Sequence, residues 1–210
     1  MSEVTALFWD VGGVILSNGW DRADRLAGAK KFGLDWEEFQ DRHDLASPAY
    51  EAGRITLDTY LQRTVFYRKR NFTKEEFIAF IFAQSEELPE SRAVLSGVAA
   101  TGNYLLAAIN NEGLELNEHR IRQFHLRQEL KAFFSSCYLG IRKPDEGIYR
   151  LALEVTQREP EECIFIDDRE LNLECALALG MRTIQFRDAA QLRKDLAANG
   201  VVIPTINAAN

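Results

Sequence analysis

The sequence predicts an α/β fold, a Rossmann-like parallel sheet core that carries an inserted all-helical cap. Three observations lead there. Short apolar runs suited to buried strands alternate with longer amphipathic stretches. One long block between the first and second runs has helical periodicity and hardly any strand signal. Polar residues of catalytic type close several of the apolar runs, as expected at the carboxyl edge of a parallel sheet. The reading divides the chain into an α/β core at residues 1–16 and 90–210 and a helical cap at residues 17–89.

Taken in order, the first strand is residues 4–10, apolar up to the carboxylate of Asp10. The turn-forming Ser17-Asn18-Gly19 leads into the block. Helices are expected there at 22–32, 36–45, 57–67 and 74–82, the last opened by Thr73 and Glu76 at capping-box spacing. The chain leaves the block through Glu86-Glu87-Leu88-Pro89. From there helices at 91–100, 117–127, 146–155, 171–179 and 189–198 alternate with strands at 103–110, 135–139, 163–167 and 182–186. Gly180 and Gly200 follow two of those helices, where a left-handed cap suits glycine. Ala208-Ala209-Asn210 reads as a loose tail.

Composition narrows the function. The 210 residues are 46% hydrophobic, enough for one good-sized core, and no internal repeat stands out. With 25 Lys and Arg against 32 Asp and Glu, the net charge of −7 argues against nucleic acid as a partner. No apolar run approaches the ~20 residues of a bilayer span. The opening MSEVTALFWD has no basic stretch of the kind that begins secretory or transit peptides, which points to the cytoplasm. Cys137, Cys163 and Cys175 are odd in number and lack CxxC spacing, so reduced, mostly buried thiols are expected.

Four strand ends gather chemistry: Asp10-Val11-Gly12-Gly13, Asn110-Asn111-Glu112, Arg142-Lys143-Pro144-Asp145 after the third strand, and Asp167-Asp168. Each has an ordinary structural reading alone: a turn for Asp10, a helix N-cap for Asp167-Asp168, a solvated lysine for Lys143. One sheet edge brings them together. Several carboxylates with one ammonium, and no His or Cys, suit a hard cation such as Mg²⁺ that shares a phosphate with the protein. An aspartate beside it can attack phosphorus. The glycines after Asp10 let backbone N–H groups approach an anion. His43, His119 and His125 form no i, i+4 pair and read as surface or helix-face residues. No GxSxG or GxGxxG occurs, and Gly97 and Gly102 lack the lysine of a P-loop.

These motifs, FWDVGGVIL, the INN after the second strand, IRKPDEGIY and CIFIDDRELNLECALALGM, in this order and with a helical insertion after the first, resemble the haloacid dehalogenase-like hydrolases. Within them the chain is most similar to the branch of sugar-phosphate phosphatases and the phosphatase domain of bifunctional epoxide hydrolases. The resemblance implies that Asp10 is the nucleophile and a magnesium ligand, with the Gly12 carbonyl, Asp168 and its neighbour Asp167 completing the metal set. Asn172 supports them and Lys143 steadies the nucleophile and the phosphoryl charge. The implied reaction hydrolyses a small phosphorylated metabolite through an aspartyl-phosphate.

Two positions depart from the family pattern. Gly12 stands where the phosphatases carry a second aspartate that protonates the leaving group, and Ile109 stands where a Ser or Thr precedes Asn110. Phosphate recognition then falls to Asn110 and Asn111 and to backbone N–H groups at Gly12 and Gly13. Alternative readings are a metal-independent haloacid dehalogenase and a catalytically impaired member that binds a phospho-ligand or a protein. Trp20, Asp21 and Arg22, just after the first motif, are the cap residues nominated for specificity, against the plainer reading that they begin a helix.

Overall fold

Strand β1 (Ala6–Trp9) is buried along its whole length, and the reason is its place in the sheet. In the computed structural model, which describes residues 2–203, the parallel sheet has the order β3-β2-β1-β4-β5. Its other strands are β2 (Leu105–Asn110), β3 (Ala132–Ser135), β4 (Cys163–Asp167) and β5 (Arg182–Gln185). Alternation sorts β1 between two apolar layers. Leu7 and Trp9 pack with Val94, Leu95 and Val98 of α5 (Pro89–Thr101), Ile121 of α6 (Leu114–Gln123) and Leu192 and Leu196 of α10 (Ala189–Ala198). Ala6 and Phe8 face Ile148, Tyr149 and Ala152 of α8 (Glu146–Thr156) and Leu173 and Ala176 of α9 (Glu170–Ala178). Pairing of Ala6 with Leu105 on one side and Cys163 on the other brings Asp10, Asn110 and Asp167 to one edge.

Between β1 and α5 lie four helices: α1 (Arg22–Phe32), α2 (Trp36–Glu51), α3 (Leu57–Thr64) and α4 (Lys74–Phe82). They share an apolar cluster of their own, with Phe39, Tyr50, Tyr60, Leu61, Phe77 and Ile81 at its centre. Asp21, Asp35, Thr56 and Thr73 cap their N-termini through side-chain acceptors, and the Thr73–Glu76 capping box is formed. The block touches the core at several points. Arg120 of α6 donates to the carbonyls of Ser17 and Asn18, tying the start of the block to the core. Tyr50 lies so close to Gly113 that a Cβ there would sit 2.0 Å from the ring, so this contact requires glycine.

Four expected elements shift. The third strand is residues 132–135, and Ser136–Leu139 is a short helix, α7. Both halves of that apolar stretch are polar only at Ser135 and Ser136, so periodicity does not divide them. Helix α2 runs through Pro48 to Glu51 rather than stopping at 45, because proline in the last turn removes a single intrahelical donor while Tyr50 docks on the core. Helix α3 ends at Thr64, whose hydroxyl donates back to the Tyr60 carbonyl. Helix α6 begins at Leu114 and ends at Gln123, and a 3₁₀ turn, Leu126–Gln128, follows a left-handed His125. The tail at 208–210 lies outside the described residues. No helix among the described residues is long and apolar enough to cross a membrane. The three thiols are unbridged; Cys163 is buried, while Cys137 and Cys175 are only half-buried.

Candidate active site

Asp10 stands one residue beyond β1, its amide donating to the Ile166 carbonyl at 2.8 Å, so the sheet itself fixes its position. Its Oδ1 accepts the Val11 N–H at 2.7 Å and lies 2.9 Å from Lys143 Nζ. Oδ2 has no hydrogen bond among the described residues and is the oxygen left for chemistry. Burial raises the Asp10 carboxyl to about 7, with Asp167 adding to the rise and Lys143 opposing it.

Lys143 is buried and joins two carboxylates, Asp10 and, at 2.6 Å, Asp167 Oδ2. Its backbone is clamped by Asn111, whose Oδ1 accepts the Lys143 N–H at 2.8 Å and whose Nδ2 donates to the Lys143 carbonyl at 2.9 Å. Both ends of the Asn111 amide are therefore committed to positioning Lys143, which replaces the substrate contact expected of it. Asp167, at the end of β4, is fully engaged: Oδ1 accepts from Arg169 N–H and Asn172, and Oδ2 from Lys143 and Asn172. Asn172 in turn fixes Asp167 with 3.0 Å bonds to both oxygens.

Asp168 differs from its neighbour. Its Oδ1 is buried without a partner among the described residues, and burial raises its carboxyl pKa, with the Asp167 charge adding to the effect. One oxygen each of Asp10, Asp167 and Asp168 lies within 4.8 Å of the others. An all-oxygen donor set with one orphaned buried carboxylate oxygen fits a hard divalent cation. Of the three, Asp10 and Asp168 have oxygens free to hold it.

The turn after Asp10 is shaped by its glycines. Gly13 has φ +76°, and a Cβ there would lie 2.6 Å from Asp168 Oδ2, so glycine lets the first strand approach the last motif. Its N–H is taken by the Leu16 carbonyl at 2.8 Å, and Leu16 N–H goes to Val11, so among the described residues this bridge leaves the Gly12 N–H and carbonyl unused. A Cβ on Gly12 would meet Asn18 Oδ1 at 3.5 Å, Arg120 Nη1 at 3.6 Å and Asn18 Cα at 3.7 Å, ordinary contacts. Asn110 is buried, giving its Nδ2 to Asn117 and accepting from Ser135 with Oδ1. Ile109 faces the apolar layer of Phe8, Phe134 and Phe165.

The residues nominated beyond the first motif do local work. Trp20 packs against Phe39, Phe77 and Phe80 and donates to Tyr60. Asp21 is the N-cap of α1, and Arg22 lies over the Trp36 ring. They form a helix start, the plainer of the two readings. The sequence reading passed over Tyr50, Glu51 and Arg120, all at the seam of block and core. Arg120 is buried, pairs with Glu112 at 2.6 Å, and stands beside Gly12.

Residues 4–180 match the family model for the haloacid dehalogenase-like hydrolases. Flavin mononucleotide hydrolase 1 of Arabidopsis thaliana, a chloroplast protein by its name, is 30% identical over 81% of this chain and 69% of its own length. Bifunctional epoxide hydrolase 2 of Sus scrofa is 35% identical over 42% of this chain but only 17% of that protein. Among solved structures, a family enzyme of Bacteroides thetaiotaomicron superposes with a TM-score of 0.70 at 19% identity, over 88% of this chain and 94% of that one. That structure holds magnesium and inorganic phosphate.

Proposed function

The chain belongs to the haloacid dehalogenase-like hydrolases, and from that premise we propose a magnesium-dependent phosphatase that cleaves a small phosphorylated metabolite through an aspartyl-phosphate on Asp10. One observation carries the reading: the free Oδ2 of Asp10 stands beside an ammonium group and an orphaned carboxylate oxygen, within a trio of carboxylates only 4.8 Å across. Residues 17–89 act as a cap over the strand ends of the core at 1–16 and 90–210. The flavin mononucleotide hydrolase relative supports phosphomonoester chemistry.

In this reading Asp10 Oδ2 forms a bond to phosphorus as the bond from phosphorus to the leaving oxygen breaks, and water then cleaves the acyl phosphate to return the carboxylate. Val11 N–H and Lys143 hold Oδ1 and so aim Oδ2. Lys143 is kept straight by Asn111 and Asp167 and offsets phosphoryl charge. A magnesium ion held by Asp10, Asp168 and the Gly12 carbonyl would supply further charge neutralisation. The Gly12 backbone lets the phosphoryl group come close, whereas the Gly13 N–H expected to join it is held by the Leu16 carbonyl and Gly13 instead makes room for Asp168; Asn110 anchors the second motif.

The dehalogenase alternative leaves the orphaned Asp168 oxygen without a use, since attack on carbon needs no cation. The impaired, binding-only alternative draws on Gly12 and Ile109. Phosphate release from acetyl phosphate and p-nitrophenyl phosphate, with magnesium and with chelator, tests all three. The reading requires magnesium-dependent release that Asp10→Asn abolishes. Halide release from a 2-haloacid without metal would overturn it in favour of the dehalogenase, and binding of phosphorylated ligands without turnover in favour of the impaired member.

A further inference from the structure

The segment that leaves the core for the helical block passes back over the turn after Asp10, and it is held there. Leu16 bridges Glu87 of the returning segment, Ser17 N–H donates to the Glu86 carbonyl at 2.8 Å, and Ser17 Oγ donates to the Gln84 carbonyl at 2.8 Å. Asn18 comes next. Its carbonyl accepts Arg120 Nη1 at 3.3 Å, while Nη2 of the same guanidinium donates to the Ser17 carbonyl. The backbone of Asn18 is thus fixed to the core by a buried arginine and, through Ser17, to the far end of the block.

The side chain of Asn18 reaches the site. Its Oδ1 lies 3.5 Å from the point that a Cβ on Gly12 would occupy and 3.2 Å from the corresponding point on Gly13. Asp168 Oδ2 lies 2.6 Å from that same Gly13 point. The Asn18 amide and the Asp168 carboxylate therefore border one spot, and the two glycines leave the room that both occupy. Asp168 in turn belongs to the carboxylate trio with Asp10. Asn18 is half-buried, yet neither end of its amide makes a hydrogen bond among the described residues. Its donor and its acceptor are both left for a ligand.

We propose that Asn18 is a catalytic residue whose Nδ2–H donates a hydrogen bond to the oxygen that leaves phosphorus. The inference rests on the phosphatase reading for the bond that breaks. As Asp10 Oδ2 bonds to phosphorus, the bond to the leaving oxygen breaks and its electron pair stays on that oxygen, which takes its proton from water. Asn18 keeps its own protons and steadies the charge as it develops. Lys143 beside Asp10, and the orphaned Asp168 oxygen, stand on the core side and suit the phosphoryl group itself. Asn18 stands at the root of the helical block and suits the oxygen that joins phosphorus to the rest of the substrate. Because the amide gives no proton away, its hydrogen bond counts most where the leaving oxygen is most basic.

The test is a series of para-substituted phenyl phosphates, read as kcat/KM with magnesium, since that constant ends with departure of the phenoxide. Asn18→Ala and Asn18→Leu both remove the donor, the second keeping the bulk, and neither breaks a side-chain hydrogen bond within the protein. Each should lower kcat/KM by about 10²–10³ for the most basic phenoxide and by far less for p-nitrophenyl phosphate, so that the plot against leaving-group pKa becomes steeper than in the wild type. A loss of equal size along the series would mean that Asn18 only shapes the turn or meets a phosphoryl oxygen, and overturns the proposal. An unchanged series in either folded variant overturns it too, and should one variant not fold, the other decides. If the wild type releases phosphate from no compound, acetyl phosphate included, the phosphatase reading falls and takes this assignment with it; release by the wild type with parallel plots removes Asn18 alone.

Discussion

Acidification should loosen the helical block through His43, and the size of the effect follows from three rings. Tyr60 accepts the Trp20 indole N–H at 3.0 Å, so its own hydroxyl proton points to His43 Nδ1, 2.8 Å away. That arrangement suits a neutral His43 that accepts at Nδ1 and carries its proton on Nε2. Burial, and then the charge of Arg25, lowers its pKa from 6.5 to about 4. Between those values the unfolded chain binds a proton that the folded one refuses, so stability is fully present above 6.5 and falls as pH drops toward 4. The shift corresponds to a loss of about 3 kcal/mol once pH is below the folded value. His43→Gln keeps an acceptor for Tyr60 and cannot titrate. Urea unfolding followed by tryptophan fluorescence, for both proteins across pH 7 to 4, should show the wild type losing about 3 kcal/mol more than the variant. Parallel pH curves would refute the reasoning, as would an NMR titration of His43 near its ordinary value in the folded protein.

The remaining predictions concern the site. Gly13→Ala places a Cβ 2.6 Å from Asp168 at a positive φ and should cost about 1–3 kcal/mol, while Gly12→Ala, with only ordinary contacts, should cost less than about 1 kcal/mol; denaturant melts compare them. Magnesium should raise the melting temperature by relieving repulsion between Asp10 and Asp168, and Asp168→Ala should erase the shift. That shift should shrink as pH falls below about 7, where protonation of Asp10 competes with the cation. With no acid at Gly12, and Arg120 committed to Ser17, Asn18 and Glu112, kcat/KM should fall steeply as the leaving-group pKa rises, by up to about 10²–10⁴ across aryl to alkyl phosphates. A flat series would mean that another group donates the proton, and Gly12→Asp should flatten a steep one.

The parts legible in the sequence are those where polarity changes abruptly. Asp10 and Asp167 each close an apolar run, so the strands and the carboxylates at their ends could be located together. β3 was misplaced because residues 132–139 stay apolar across a strand and a helix. The seam was not legible for a linked reason. The helix expected at 36–45 is carried onward by the tertiary contact of Tyr50 with Gly113, and that extra length is what brings Glu51 to Arg142. Asn111 shows the same limit: its type suggested a ligand contact, and only the fold reveals that its partner is the backbone of Lys143.

The central position of β1 also has a consequence for biosynthesis. β1 is translated before the four other strands of its sheet and joins β2 and β4, pairing Ala6 with Leu105 and with Cys163. Contacts within the helical block, by contrast, are near in sequence, so the block can condense early while Ala6, Leu7, Phe8 and Trp9 wait for partners. Until β4 has been translated, one side of this wholly apolar strand has no strand beside it. Contact order thus makes the middle of the sheet the last part to close, and the nascent chain is most exposed to aggregation at the segment that will later hold its proposed nucleophile in place.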